Sequence, residues 1–244
     1  MRLTRIHTPE TLLAPGRTTL HGAAANHVAR VLRLRVGDAV VLFNGDGCDY
    51  AGRVAALRAG EVEVELLARN AGTPESPISL TLMQGVARGE RMDLVVQKAT
   101  ELGVAQIVPV LAARSVVRLD RRQAERKLEH WRAVAVSACE QSGRARLPVI
   151  EAPAALDEAL LRVPGDGCRV TLSPGAGTPL TSLAAGTTAI TLLIGPEGGL
   201  TDAEVGLATG AGFERRSLGP RILRTETAAL AALAVLQATA GDLR

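Results

Sequence analysis

The residues best suited to chemistry in this sequence lie late in the chain, at 194–204 (IGPEGGLTDAE). An apolar run ends at Ile194, the turn Gly195-Pro196-Glu197-Gly198-Gly199 comes next, and Thr201 and Glu204 then stand at the spacing of a helix capping box. Glycines let backbone amides and carbonyls come close to a bound molecule, because no Cβ stands in the way. In an open α/β sheet, loops of this kind lie just beyond the carboxyl ends of the strands, where ligands bind. The alternative is an ordinary strand-to-helix turn.

A second segment, 218–227 (LGPRILRTET), breaks at Gly219-Pro220, adds Arg221 and Arg224, and enters a helix with Thr225 as candidate N-cap. Two guanidinium groups beside a helix start suit a phosphate or a carboxylate, or else form surface ion pairs. Glu197 and Glu226 are the carboxylates nearest these segments. Neither segment is a Walker A loop, which needs Gly-Lys-Ser/Thr. No GxGxxG follows a predicted strand, and 175–177 is an isolated GxG. These absences weigh against nucleotide hydrolysis and against a dinucleotide fold.

Elements must position these loops. Residues 39–43 are apolar, 44–47 (NGDG) is a hairpin turn signal, and 48–54 returns. After a turn at 58–60, Glu alternates with apolar residues over 61–66, the mark of a half-exposed strand. Residues 26–34 (NHVARVLRL) have helical spacing, with Val28, Val31 and Leu32 on one face and His27, Arg30 and Arg33 toward the other. A small β-barrel with a short basic helix is expected over 1–72, and 70–77 (NAGTPESP) is the linker candidate.

From 73 to 244 the period changes. Strands are expected at 78–83, 104–110, 169–173 and 190–194, and helices at 91–102, 120–142, 201–209 and 225–238. Such alternation implies a mostly parallel sheet covered on both faces. The last helix (TETAALAALAVLQA) is apolar nearly all round and needs burial on every side, within its own domain or against a second copy of the chain.

Composition bounds the partners. Hydrophobic residues make up 47% of the chain, enough for a real core, but there is one Trp, one Tyr and two Phe, so base recognition cannot rest on stacked rings. Cys48, Cys139 and Cys168 form no CxxC pair, which argues against structural zinc and against a disulfide framework; no metal is expected. The first ten residues lack the apolar core of a signal peptide, and no apolar run approaches the ~20 residues needed to cross a bilayer, so a cytoplasmic protein is expected. Residues 1–40 carry six Arg against Glu10 and Asp38, and Lys occurs only at 98 and 127. Arginine's planar fork suits phosphates and base edges.

The loops at 195–199 and 218–227 together resemble the knotted SPOUT superfamily of methyltransferases. Further segments are similar to one branch of it, the ribosomal small subunit methyltransferase E family, which modifies uracil N3 in 16S rRNA. They are 27–38 (HVARVLRLRVGD), 88–104 (RGERMDLVVQKATELGV), Arg114-Ser115 and 131–148 (WRAVAVSACEQSGRARLP), in register along nearly the whole chain. Arg88 departs from the family pattern, where Lys is common, and so does His7-Thr8, where an aromatic pair is common.

The resemblance implies a PUA-like RNA-binding barrel, an α/β domain ending in a trefoil knot, and a homodimer. It implies S-adenosylmethionine as cofactor, held by Leu172, Ser173, Ile194, Gly195, Pro196, Glu197, Gly198, Gly199, Leu218, Gly219, Ile222, Leu223 and Arg224. The substrate would be 16S rRNA, within the small ribosomal subunit. In-line attack of uracil N3 on the methyl group would need a stabilised base anion, with Arg224 as the cation and Glu197 or Glu226 as proton acceptor. Arg5, Arg30, Arg33, Arg88, Arg114 and Arg144 are candidates for a phosphate track. The rival readings are a non-catalytic ribosome-assembly protein, which would not bind the methyl donor, and a dinucleotide-dependent enzyme, which would bind NAD.

Overall fold

The computed structural model describes residues 4–183 and 186–243. They form two compact units: residues 1–75 with Val136–Leu147, and Ser76–Ala135 with Pro148–Arg244.

The first unit is built on a five-stranded sheet. Its elements are β1 (Thr4–His7), β2 (Gly16–His21), a short helix α1 (Gly22–Asn26), β3 (Ala39–Phe43), β4 (Cys48–Arg58) and β5 (Glu61–Ala71). The order across the sheet is β1-β3-β4-β5-β2, with β1 parallel to β3 and the other pairs antiparallel. Strand alternation decides what is buried: Val62, Val64 and Leu66 of β5 point into a core with Ile6, Leu20, Val40, Leu42 and Val54, while the intervening Glu residues stay out. The 44–47 turn closes as its side chains dictate. Asn44 Oδ1 accepts from Asp46 N at 3.2 Å and Asp46 Oδ1 from Cys48 N at 2.8 Å, each a side chain bonding backbone two residues on.

The helical segment near residue 30 differs from expectation. After α1 the chain widens into a π-turn at His27–Val31, closed by Leu32 N donating to His27 O at 2.9 Å. The wider turn rotates the later side chains away from the core, so Val28 is buried but Val31 is 65% exposed. Arg30 and Arg33 are exposed as well.

The second unit holds β6 (Ser79–Gly85), α2 (Arg91–Glu101), β7 (Gln106–Leu111), and α3 (Arg121–Ser142), whose last turns belong to the first unit. It continues with β8 (Val149–Ile150), β9 (Ala154–Ala155), α4 (Leu156–Leu160), β10 (Cys168–Leu172), β11 (Ala189–Ile194), α5 (Asp202–Gly210), β12 (Glu214–Arg216) and α6 (Thr225–Ala240). All pairings are parallel, in the order β12-β10-β11-β6-β7-β8, with β9 also on β7. Both faces are covered, as parallel sheets require. Leu80, Leu82, Ile190 and Leu192 face a core shared with α2, α6 and Trp131, and the alternate residues Met83 and Leu193 face Leu156, Ala208 and Phe213. Each such fully buried side chain contributes about 1.5–3 kcal/mol relative to exposure.

α6 lies on α2 and over β6 and β11, with Ala229, Ala232, Leu233 and Leu236 buried. At its far end the buried Gln237 donates to Leu102 O at 2.8 Å and accepts from Ser76 Oγ at 2.7 Å. Leu230, Ala231, Ala234 and Val235 are only partly covered. Among the described residues no helix is long and apolar enough to cross a membrane.

Candidate active site

In the second unit the chain runs one way across the sheet from β6 through β7 to β8, then crosses to β10, steps back to β11 beside β6, and reverses outward to β12 at the edge. The crevice beyond the carboxyl ends of the strands beside such a reversal is where open α/β sheets bind ligands. Here that crevice is a cavity of about 740 Å³, lined from three segments: the end of β10 with residues 173–174, the end of β11 with residues 195–200, and the stretch from β12 to α6. All thirteen residues expected around a cofactor line it: Leu172, Ser173, Ile194, Gly195, Pro196, Glu197, Gly198, Gly199, Leu218, Gly219, Ile222, Leu223 and Arg224.

Close packing sets the cavity's floor. A Cβ on Gly85, at the end of β6, would sit 2.4 Å from Pro196 N and 2.7 Å from Gly195 C, so only glycine lets the 195–199 loop rest on the neighbouring strand. Gly199 has a φ of +69°, a left-handed conformation that turns the loop back toward α5 and that side chains rarely adopt. Thr201 caps α5 as its spacing predicts: its hydroxyl accepts from Glu204 N at 3.2 Å, and Glu204 Oε2 accepts from Thr201 N at 2.8 Å. Glu204 Oε1 also accepts from Ala113 N at 2.7 Å. Burial pushes the Glu204 carboxyl up, but these amides outweigh it and hold its pKa below the usual value.

Thr225 does not cap α6 as expected. Arg224 is the N-cap and Thr225 the first helical residue, and its buried hydroxyl donates to Gly195 O at 2.6 Å while accepting from Gln84 Nε2 at 2.8 Å. The hydroxyl thereby ties the end of β6, the glycine loop and the last helix into one frame.

Three carboxylate and cation placements decide what the site can do. Arg224 and Arg221 are exposed on the lining, and neither side chain has a hydrogen-bond or ion-pair partner among the described residues. Glu197 Oε1 accepts from Arg88 N and from Arg91 Nη1, each at 3.0 Å. Burial raises the Glu197 pKa, but the backbone donors and Arg91 prevail, so it is held ionised below the usual carboxylate range. Glu226, the other expected proton acceptor, is not among the lining residues; its Oε1 lies 3.9 Å from Arg91 Nε, and its buried Oε2 has no hydrogen-bond partner among the described residues. Arg91 is not among the residues expected at the site, yet it lines the cavity. It bridges both carboxylates across sequence separations that no local pattern reveals.

Two arginines expected on a phosphate track are engaged elsewhere. Arg5 pairs with Asp49, donates to Arg144 O at 3.0 Å and stacks 4.8 Å from the Phe43 ring centroid; Arg144 pairs with Glu75; each side chain is only 9% exposed. Both stabilise the first unit from within. Arg88 and Arg114 are exposed on the second unit, and Arg114 Nη1 reaches the carbonyls of Gly198 and Leu200 at 3.4 and 3.3 Å.

Residues 74–237 match the RNA methyltransferase domain family and residues 20–67 the RNA methyltransferase PUA domain. An RNA methyltransferase is the class that this fold and site define. The ribosomal RNA small subunit methyltransferase E of Bacillus subtilis is 32% identical over 89% of this chain and 88% of its own length. Two solved structures cover 100% of both chains at 37% identity: a Legionella pneumophila methyltransferase with bound SAM, at a TM-score of 0.95, and the small subunit methyltransferase E of Neisseria gonorrhoeae bound to S-adenosylmethionine, at 0.92. The chain belongs to the ribosomal RNA small subunit methyltransferase E family.

Proposed function

We propose that this protein transfers a methyl group from S-adenosylmethionine to N3 of a uridine in 16S rRNA. The observation that carries the reading is the cavity at the strand ends, in which both glycine loops converge with Arg224, whose side chain has no partner among the described residues. Its volume of about 740 Å³ falls in the range of small-molecule sites. Its apolar wall of Leu172, Ile194, Leu218 and Leu223 beside bare loop backbone fits a nucleoside with a polar tail.

When bound, the cofactor supplies an electrophilic methyl group on sulfur. The chain's own residues do the rest. The backbone of 195–199 and 218–223 holds and orients the donor. Arg224 neutralises charge developing on the uracil as N3 gives up its proton, acting where no side chain among the described residues pairs with it. Of the two candidate acceptors only Glu197 lines the cavity, so it takes the proton in this reading, as a weaker base than a free carboxylate because Arg88 N and Arg91 stabilise its charge; Glu226 acts at one remove, holding Arg91 against the loop.

Residues 1–72 serve as a PUA-like barrel and 73–244 as a SPOUT domain, with α6 passing through a trefoil knot. The half-covered face of α6, with Leu230, Ala231, Ala234 and Val235, supports a homodimer. Arg30 and Arg33 on the first unit, and Arg88 and Arg114 on the second, contact RNA phosphates, in the cytoplasm and on the small ribosomal subunit.

The test is direct. Purified protein is titrated with S-adenosylmethionine by calorimetry, then incubated with small subunits and labelled donor, and the product nucleoside is analysed by mass spectrometry. Donor binding with 3-methyluridine in 16S rRNA is the expected result. No donor binding, or label on another base atom, would overturn the reading.

A further inference from the structure

The first half of α3 carries a groove that the cavity does not account for. Its volume is about 410 Å³, and it is formed by Arg118 and Leu119 ahead of the helix and by Gln123, Arg126, Lys127 and His130 along it. Positions 119, 123, 126, 127 and 130 recur at the three- and four-residue spacing that brings side chains to one side of a helix. Leu128, Trp131 and Ala135 turn the adjacent side into the core.

The groove is cationic, and most acidic groups around it are engaged. Asp93 has Oδ2 2.8 Å from His130 Nε2 and accepts from Trp131 Nε1 at 3.1 Å. Asp120 Oδ1 accepts from Gln123 N at 2.7 Å, and Glu125 pairs with Arg121 away from the groove. Glu129, on the flank, forms no ion pair among the described residues. Arg126 and Lys127 have no hydrogen-bond or ion-pair partner among the described residues, and Arg118 is exposed with Nη2 on Ala113 O at 3.3 Å.

A short stretch of chain joins this groove to the cavity. Ala113 is anchored to Glu204 at the start of α5, Arg114 reaches the carbonyls of the glycine loop, and Arg118 opens the groove. Cations therefore mark a line from the cavity rim to α3. A protein partner would need buried aromatic or apolar anchors, and among the described residues Leu119 is the only apolar one lining the groove. Backbone phosphates need only positioned cations.

We propose that the α3 groove is a second phosphate-binding site, which takes the RNA backbone at a distance from the base being modified; this rests on the reading that RNA is the substrate. The groove sets affinity and register and leaves the chemical step alone.

The test compares wild type, Arg118→Gln/Arg126→Gln/Lys127→Gln, and Arg121→Gln as a control on the other side of the helix. Binding to a 16S rRNA transcript and to small subunits is measured across salt concentrations, alongside calorimetry with S-adenosylmethionine. In the triple variant the salt-dependence slope falls by about 2 and KM for RNA rises about tenfold at low salt, with kcat, donor affinity and the control unchanged. Because Arg118 also holds Ala113 O, Arg126→Gln/Lys127→Gln is measured too, and it retains about two thirds of the slope change. An unchanged slope in a variant that still binds donor and turns over would overturn the proposal. So would a defect on small subunits with none on naked 16S rRNA, which would assign the groove to a protein contact. Wild-type protein that binds donor but no RNA would overturn the substrate reading together with the groove, whereas failure to bind donor with RNA affinity and slope effects intact removes only the catalytic reading.

Discussion

Two pairs of arginines, one in each unit, are used in opposite ways. In the first unit, Arg5 and Arg144 are almost wholly covered, each against a carboxylate, and their charge is consumed in holding the sheet and the 136–147 segment together. In the second, Arg224 and Arg221 face a cavity with no partner among the described residues. A buried guanidinium must be paired, because desolvation costs more than most other terms return. One left exposed beside a ligand cavity keeps its charge for whatever enters. The same residue type is thus a structural bolt in one unit and a reagent in the other, and burial with pairing tells them apart.

That contrast can be broken by measurement. Arg224→Ala is expected to have the largest effect, slowing single-turnover methyl transfer by roughly 10²–10³-fold, about 3–4 kcal/mol, while the melting temperature stays close to wild type. A rate near wild type would return Arg224 to the ordinary surface. Arg144→Ala should do the reverse: it strands Glu75 and lowers stability by about 2–4 kcal/mol in denaturant titrations, with turnover per folded molecule retained. An unchanged midpoint there would mean that the pair contributes nothing.

Thr225→Val sharpens the comparison inside the second unit. It removes the hydroxyl between Gln84 and Gly195, and about 1–3 kcal/mol of stability should go with it, together with weaker donor binding by calorimetry. On stability the smallest effect is expected for Glu197→Gln, at most about 1 kcal/mol because the carboxylate is partly exposed, while loss of the proposed proton acceptor should slow single-turnover methyl transfer. The pH dependence of the stability effect has a definite sign. The folded-state pKa is depressed, so the unfolded chain takes up the proton first as the solution is acidified. The wild-type advantage is therefore full above the ordinary carboxyl range and is lost as pH falls through the depressed value. A difference that persisted or grew in acid would contradict the Arg88 and Arg91 contacts.

The strand-to-helix loop at 194–204 was legible because local signals agreed: an apolar run, glycines and a capping pair all within fifteen residues, 190–204. The alternation over 61–66 read correctly for the same reason. What escaped was non-local or depended on small backbone changes. Arg91 meets Glu197 more than a hundred residues away, a contact that only the fold creates. Arg5 and Arg144 look like any other surface arginines until Asp49 and Glu75 are brought beside them. Val31 had core spacing for an α-helix, but one widened turn carried it outward. Thr225 had the right chemistry for a cap and was drawn instead to Gln84 and Gly195 by burial.

The hydroxyl of Thr225 has a consequence for the order of events during synthesis. One wall of the cavity is furnished by residues 218–228, and its floor is fastened by bonds from residue 225 to Gly195 and back to Gln84 in β6, laid down far earlier. A nascent chain halted before that point possesses the glycine loop but lacks the Thr225 bond to Gly195 and the wall that faces it. Competence to hold a small molecule should therefore switch on late and all at once, when the final helix emerges and docks, and partial translation products should be inert.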